Sequence, residues 1–85
     1  MAETVSIRVQ LDYPLEQVME PIIYHLVTDY QLIPNIRRAN IDVHTGGMLV
    51  LQLDGTRENL DAGIAFLRGL GITVTEIDAG QSWTI

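Results

Sequence analysis

Two short runs of alternating residues meeting at Gly46-Gly47 constrain this chain more than any other feature of its sequence. In residues 37–43 the apolar groups Ala39, Ile41 and Val43 alternate with Arg38, Asn40 and Asp42, which is the two-residue period of a strand with one buried face. Leu49, Leu51 and Leu53 repeat that period after the glycines. A Gly-Gly pair supplies the positive φ angles of a tight turn, so the stretch predicts two antiparallel strands joined directly at Gly46-Gly47.

The rest of the chain organises around that hairpin. Val5, Ile7, Val9 and Leu11 alternate with Ser6, Arg8 and Gln10, a first strand that Asp12-Tyr13-Pro14 ends. Residues 15–19 have a helical pattern, but Pro21 is tolerated only at the first position of a helix, so a short turn is expected there and the main helix from about Pro21. Ile22, Ile23, Leu26, Val27 and Tyr30 give that helix one apolar stripe, and Pro34 keeps it from continuing. Asp54-Gly55 reads as a turn and Thr56 as the N-cap of a second helix, with Glu58 in its first turn. Leu60, Ile64 and Leu67 keep the helical period, Gly63 would let the helix approach another backbone, and Gly69 or Gly71 stops it. Residues 72–77 make the last strand, and residues 79–85, with Trp83, a C-terminal tail.

Strand, helix, strand, strand, helix, strand, each with one apolar side, is satisfied by an α+β two-layer sandwich. A four-stranded antiparallel sheet carries both helices on one face, the ferredoxin-like βαββαβ arrangement with strand order 4-1-3-2. That order puts the strand at residues 36–44 on an edge, where a second copy of the chain is the simplest partner for its open backbone groups. At 85 residues the chain is one domain, with a core over about residues 4–78.

Composition excludes several kinds of function. Eleven acids against five bases, all arginines, leave a net charge of −6, and only Arg37 and Arg38 adjoin. Neither a nucleic-acid backbone nor an anionic membrane is attracted to such a surface. No cysteine is present for a disulfide, a nucleophile or an iron–sulfur cluster, and no Gly-rich phosphate loop with a lysine. No apolar run approaches the ~20 residues of a membrane span, and Met1-Ala2-Glu3 lacks the regions of a signal peptide, so the expected location is the cytoplasm.

The joint spacing of short motifs resembles the NIL domain, a family named for an Asn-Ile-Leu triplet opening its second strand. Asn35-Ile36-Arg37 stands at that triplet, followed by Arg38-Ala39-Asn40-Ile41 and the Gly46-Gly47 turn. Pro21, Gly55-Thr56 and Ala65-Phe66-Leu67 leading to Ile72-Thr73-Val74 follow in the same order. The resemblance covers about residues 4–78. It implies a regulatory domain that dimerises, binds L-methionine near the dimer interface, and occurs at the C-terminus of ATP-binding subunits of methionine-type ABC importers, or joined to ferredoxin-type modules. Here the domain stands free, so a transporter or ferredoxin-type partner is reached by association, and neither a cofactor nor catalysis is implied.

Carried onto this chain, Asn35 offers an amide that both donates and accepts, suited to the ammonium and carboxylate of an amino acid, and Ile36 offers apolar contact. Arg37 occupies the family's leucine position, and a guanidinium there suits a carboxylate, another anion or an acid across a dimer. Arg38 and Asn40 complete the candidate ligand-binding set. The bland readings are a turn role for Asn35, edge charges that discourage aggregation for Arg37 and Arg38, and solvation for Asn40. His25 and His44 lack a third ligand at metal-binding spacing, Ser6 and Ser82 form no triad with a histidine and an acid, and Asp12 and Asp42, which could stand near each other on a sheet margin, are weak evidence for acid–base work. The outward residues of the first and third strands include no aromatic platform for RNA bases. A module that binds a protein and no metabolite is the alternative to a ligand sensor.

Overall fold

The computed structural model describes residues 3–17, 21–42 and 44–77. Strand β1 (Thr4–Tyr13) leads through a single 3-10 turn at Leu15–Gln17 to helix α1 (Ile22–Thr28). Strands β2 (Ile33–Asp42) and β3 (Gly46–Thr56) follow, then helix α2 (Arg57–Gly69) and strand β4 (Thr73–Glu76). The four strands form one antiparallel sheet in the order β2-β3-β1-β4, the order expected of the ferredoxin-like arrangement. Trp83 and the tail lie outside the described residues.

The core is built from one face of the sheet. Val9 and Leu11 of β1, Leu49, Leu51 and Leu53 of β3 and Val74 of β4 meet Ile22 and Leu26 of α1 and Leu60 and Leu67 of α2 in a single buried cluster. Each leucine or isoleucine taken fully from water contributes ~1.5–3 kcal/mol, so this cluster is the main stabilising term. Tyr13 extends the buried row of β1 two residues past the expected end and lies over Gly47, where a Cβ would stand 2.6 Å from its ring. Burial raises the Tyr13 pKa above its ordinary value. The 3-10 turn and the helix start after Pro21 agree with the proline argument.

Three local expectations are corrected. The Gly46-Gly47 pair is not the hairpin turn itself: both glycines belong to β3, and Asp42 pairs with Gly46 across the hairpin. Asp42 tightens the connection instead, its Oδ1 accepting from the His44 N–H at 2.7 Å while its carbonyl accepts from Thr45 N–H at 3.3 Å. Gly46 alone takes a positive φ, at 113°. Secondly, Asp54-Gly55 does not turn. β3 runs on through Thr56, and Gly55 stays in the ladder opposite Val5 because Leu32 fills the space a Cβ would take. Thirdly, Gly63 admits the Leu32 side chain rather than another backbone.

Both ends of α2 follow their sequence signals. The Thr56 hydroxyl accepts from Asn59 N–H at 3.1 Å, and Gly71, at φ 85°, closes the helix with the Leu67 carbonyl accepting from Ile72 N–H and the Arg68 carbonyl from Gly71 N–H. α1 is shorter than its apolar stripe suggests. It ends at Thr28, leaving Val27 exposed and Tyr30 half-buried in the following loop. No helix among the described residues is long and apolar enough to cross a membrane.

Candidate functional site

The five candidate residues all lie on β2, an outer strand of the sheet. β2 is exposed along nine of its ten residues, Pro34 alone being half-buried. The reason is one of length. Seven residues of helix span about 10 Å, whereas ten residues of strand span about 33 Å, so α1 covers only part of the strand it adjoins. The side of β2 that carries the expected apolar alternation therefore lies bare, with Ile36 46% and Ile41 51% exposed.

A β-bulge between Ile36 and Arg38 sorts the candidates. Ile36 stands opposite Leu51 and Arg38 opposite Val50, so Arg37 is the extra residue and the alternation restarts after it. Ile36 consequently shares the helix side with Ala39 and Ile41, which stand opposite Leu49 and Gly47. Asn35, Arg38 and Asn40, opposite Gln52, Val50 and Met48, share the helix-free side. The structure thus brings Asn35, Arg38 and Asn40 onto one surface, puts Ile36 on the other, and leaves Arg37 at the irregularity between them.

The helix-free surface is polar with one apolar centre. Val50 is only 9% exposed although no helix lies over it; its register neighbours are Gln10 and Arg38, whose long stems suit that role. Around it Ser6 Oγ donates to Asp54 Oδ1 at 2.6 Å, and Gln52 Nε2 donates to the same oxygen at 3.1 Å. Gln10 Nε2 donates to both oxygens of Asp12, at 3.0 and 3.2 Å. Two open depressions lie at this sheet. One of about 310 Å³ is bordered by Ser6, Arg8, Gln52 and Ile77, and another of about 290 Å³ by Asn40, Asp42, Thr45 and Met48. The second adjoins the candidate set at Asn40.

Sequence reasoning passed over Ile33, 65% exposed on the helix-free side, and weighed Asp42, which ends the site strand, only as an acid–base partner of Asp12. Signals for both were present: an isoleucine before a proline at a strand start, and an acid four residues before a glycine pair. His25 is engaged structurally, its Nδ1 2.9 Å from Asp29 Oδ2 and its ring edge-on to Phe66. Among the described residues no three His, Cys, Asp or Glu side chains cluster as a metal site.

Known proteins share this architecture. The C-terminal domain of an ABC transporter/ATP-binding protein from Enterococcus faecalis, a crystal structure, superposes with a TM-score of 0.74 at 34% identity, over 86% of this chain and 84% of that one. The uncharacterized protein ssr2439 of Synechocystis sp. (strain ATCC 27184 / PCC 6803 / Kazusa) is 30% identical over 81 residues, 94% of this chain and 84% of the relative. Residues 7–76, from the first core strand to the end of the last, match the NIL domain, and the chain belongs to that family.

Proposed function

We propose that this chain is a non-enzymatic regulatory domain that acts in the cytoplasm as a homodimer and senses an amino acid, methionine first among them, beside the β2 edge. The observation that carries the reading is the bare edge strand itself. A ten-residue outer strand with Ile36 and Ile41 exposed on one side and Ile33, Asn35, Arg38 and Asn40 on the other is built to be covered. Family membership and the likeness to a C-terminal domain of an ABC transporter/ATP-binding protein support a regulatory role and a transporter-related partner; a ferredoxin-type protein is the other partner in this reading.

In this reading Asn35 donates to the ligand carboxylate and accepts from its ammonium, Arg37 and Arg38 supply positive charge for the carboxylate, and Asn40 adds a second amide, while Ile36, on the opposite side of the strand, is not part of the same contact. The ligand acts by population shift: it binds one arrangement of two domains better than the other, and the partner reads that arrangement. Calorimetric titration with methionine and other amino acids tests it. Binding that weakens at least tenfold in Asn35→Ala supports the site, unchanged affinity misplaces it, and no heat or thermal shift at millimolar ligand refutes sensing of those compounds.

Exposure of Ile36 and Ile41 on one side of β2 and Ile33 on the other favours a second reading, a module that binds a protein and no metabolite, because one amino acid cannot contact both sides of a strand at once. The same titration separates the two.

A further inference from the structure

We infer that two copies of the chain join by antiparallel pairing of β2 with β2 in one register, with the two-fold axis at Asn40. The inference rests on the homodimer reading and adds the register, which this chain's own residues specify. Two irregularities bound the usable edge. The bulge at Arg37 interrupts the strand on one side, and the ladder with β3 ends at Asp42 on the other. Residues 38–42 are the regular segment between them, and a segment paired antiparallel with its own copy overlaps in full only when centred on its middle residue, Asn40.

Side-chain chemistry selects the same centre. Pairing about Asn40 places Arg38 opposite the partner's Asp42, and Asp42 opposite the partner's Arg38. Both residues lie on the helix-free side, so each dimer gains two arginine–carboxylate pairs. Asp42 is already oriented by the His44 N–H on its Oδ1. On the helix side the same register places Ala39 opposite the partner's Ile41. The row Leu11–Leu49–Ala39 of one copy, buried except at Ala39, then continues into the row Ile41–Gly47–Tyr13 of the other, with a small residue meeting a large one at the seam. Ile41, half exposed in one copy, is covered by this contact. Moving the centre to residue 39 sets Ile41 against the bulged Arg37, and moving it to residue 41 separates Arg38 from Asp42 and carries the pairing into the turn.

The chain has no cysteine, so single introduced cysteines report the register directly. Directly opposed residues of antiparallel strands have Cα atoms ~4.5–5.5 Å apart, inside the window a disulfide spans. In the inferred register Asn40 faces itself, whereas Arg38 stands four residues along from its own copy, about 14 Å away. Sedimentation first measures association of the cysteine-free chain, and Asn40→Cys and Arg38→Cys are then oxidised mildly as dimers. Rapid covalent dimerisation of Asn40→Cys alone is expected. A non-covalent dimer in which Asn40→Cys does not cross-link, or in which both variants cross-link equally, overturns the register and leaves dimerisation standing; a chain that stays monomeric at high concentration overturns both. Arg38→Asp and Asp42→Arg each set like charges opposite twice per dimer and should weaken association about tenfold, while the double exchange restores it. Failure of the exchange to restore association also counts against this register. All three positions are exposed, and circular dichroism of each variant confirms that the fold is intact.

Discussion

Leu32 fixes the start of the site strand, and its two methyl groups make a sharp test of how. The side chain is 1% exposed, with Cδ2 at the place a Cβ on Gly55 would occupy, 2.5 Å away, and Cδ1 2.8 Å from a Cβ on Gly63. In an ordinary helix Gly63→Ala would stabilise by ~1 kcal/mol, because alanine has the better propensity. Here the added methyl meets a leucine that cannot swing away, since its other branch lies against Gly55. Overpacking of that kind costs ~1–3 kcal/mol, so the net effect is destabilisation of roughly 0–2 kcal/mol. Leu32→Ala alone should cost ~2–5 kcal/mol through the cavity it leaves. The decisive measurement is the double variant, by urea denaturation at one protein concentration. With Leu32 truncated the clash disappears, the neighbouring Leu26 Cδ2 at 3.4 Å is tolerable, and Gly63→Ala should turn stabilising by ~1 kcal/mol. A coupling of about 2 kcal/mol between positions 32 and 63 is therefore expected, and effects that add within ~0.5 kcal/mol would refute the wedge.

Three further outcomes follow from the fold. Burial raises the Tyr13 pKa, so its neutral phenol contributes stability that is complete below pH ~10, the ordinary tyrosine value, and is lost as pH rises through the folded value. The urea midpoint of the parent chain should fall between pH 8 and 11, and fall less for Tyr13→Phe, which lacks the titrating phenol. Thr56→Ala removes the hydroxyl that accepts from Asn59 N–H and should cost ~1 kcal/mol, or roughly 4–8 °C in Tm by calorimetry, with Thr56→Ser recovering most of it. Deleting Arg37 should remove the bulge while every flanking side chain keeps its face, because Ile36 and Arg38 already stand opposite the consecutive residues Leu51 and Val50; the straighter, longer edge should self-associate more strongly, seen by sedimentation.

Most of the fold was legible because its signals are local and redundant. Alternation over Val5, Ile7, Val9 and Leu11, the proline rule at Pro21 and the cap at Thr56 each specify an element alone, and together they leave one economical architecture. The failures came where a long-range contact decides. Asp54-Gly55 has the composition of a turn, yet Gly55 is needed in a continuous strand because Leu32, 23 residues earlier, occupies the space beside it. Gly46-Gly47 has the composition of a two-residue hairpin turn, yet Gly47 serves Tyr13 on a neighbouring strand and only Gly46 uses a conformation that favours glycine. Local composition records that a glycine is required. It does not record which neighbour requires it.

Legibility of the candidate site ends at Arg37 for a related reason. Alternation read straight through residues 35–43 assigns Asn35 to the face of Ala39 and Ile41, and Ile36 to the face of Arg38 and Asn40. The bulge reverses that assignment for every residue before it, gathering Ile36, Ala39 and Ile41 on the helix side and Asn35, Arg38 and Asn40 on the other. A strand with a buried side resists such an insertion, since slipping by one residue exposes its whole apolar set. β2 accommodates it because α1 covers so little of the strand. The bareness that makes β2 available to a partner is thus also what permits the bulge, and the bulge shortens the regular edge to residues 38–42. Exposure and irregularity, each a liability in an edge strand, combine here to leave a short segment whose charges and apolar groups would complement a second copy in the register proposed above.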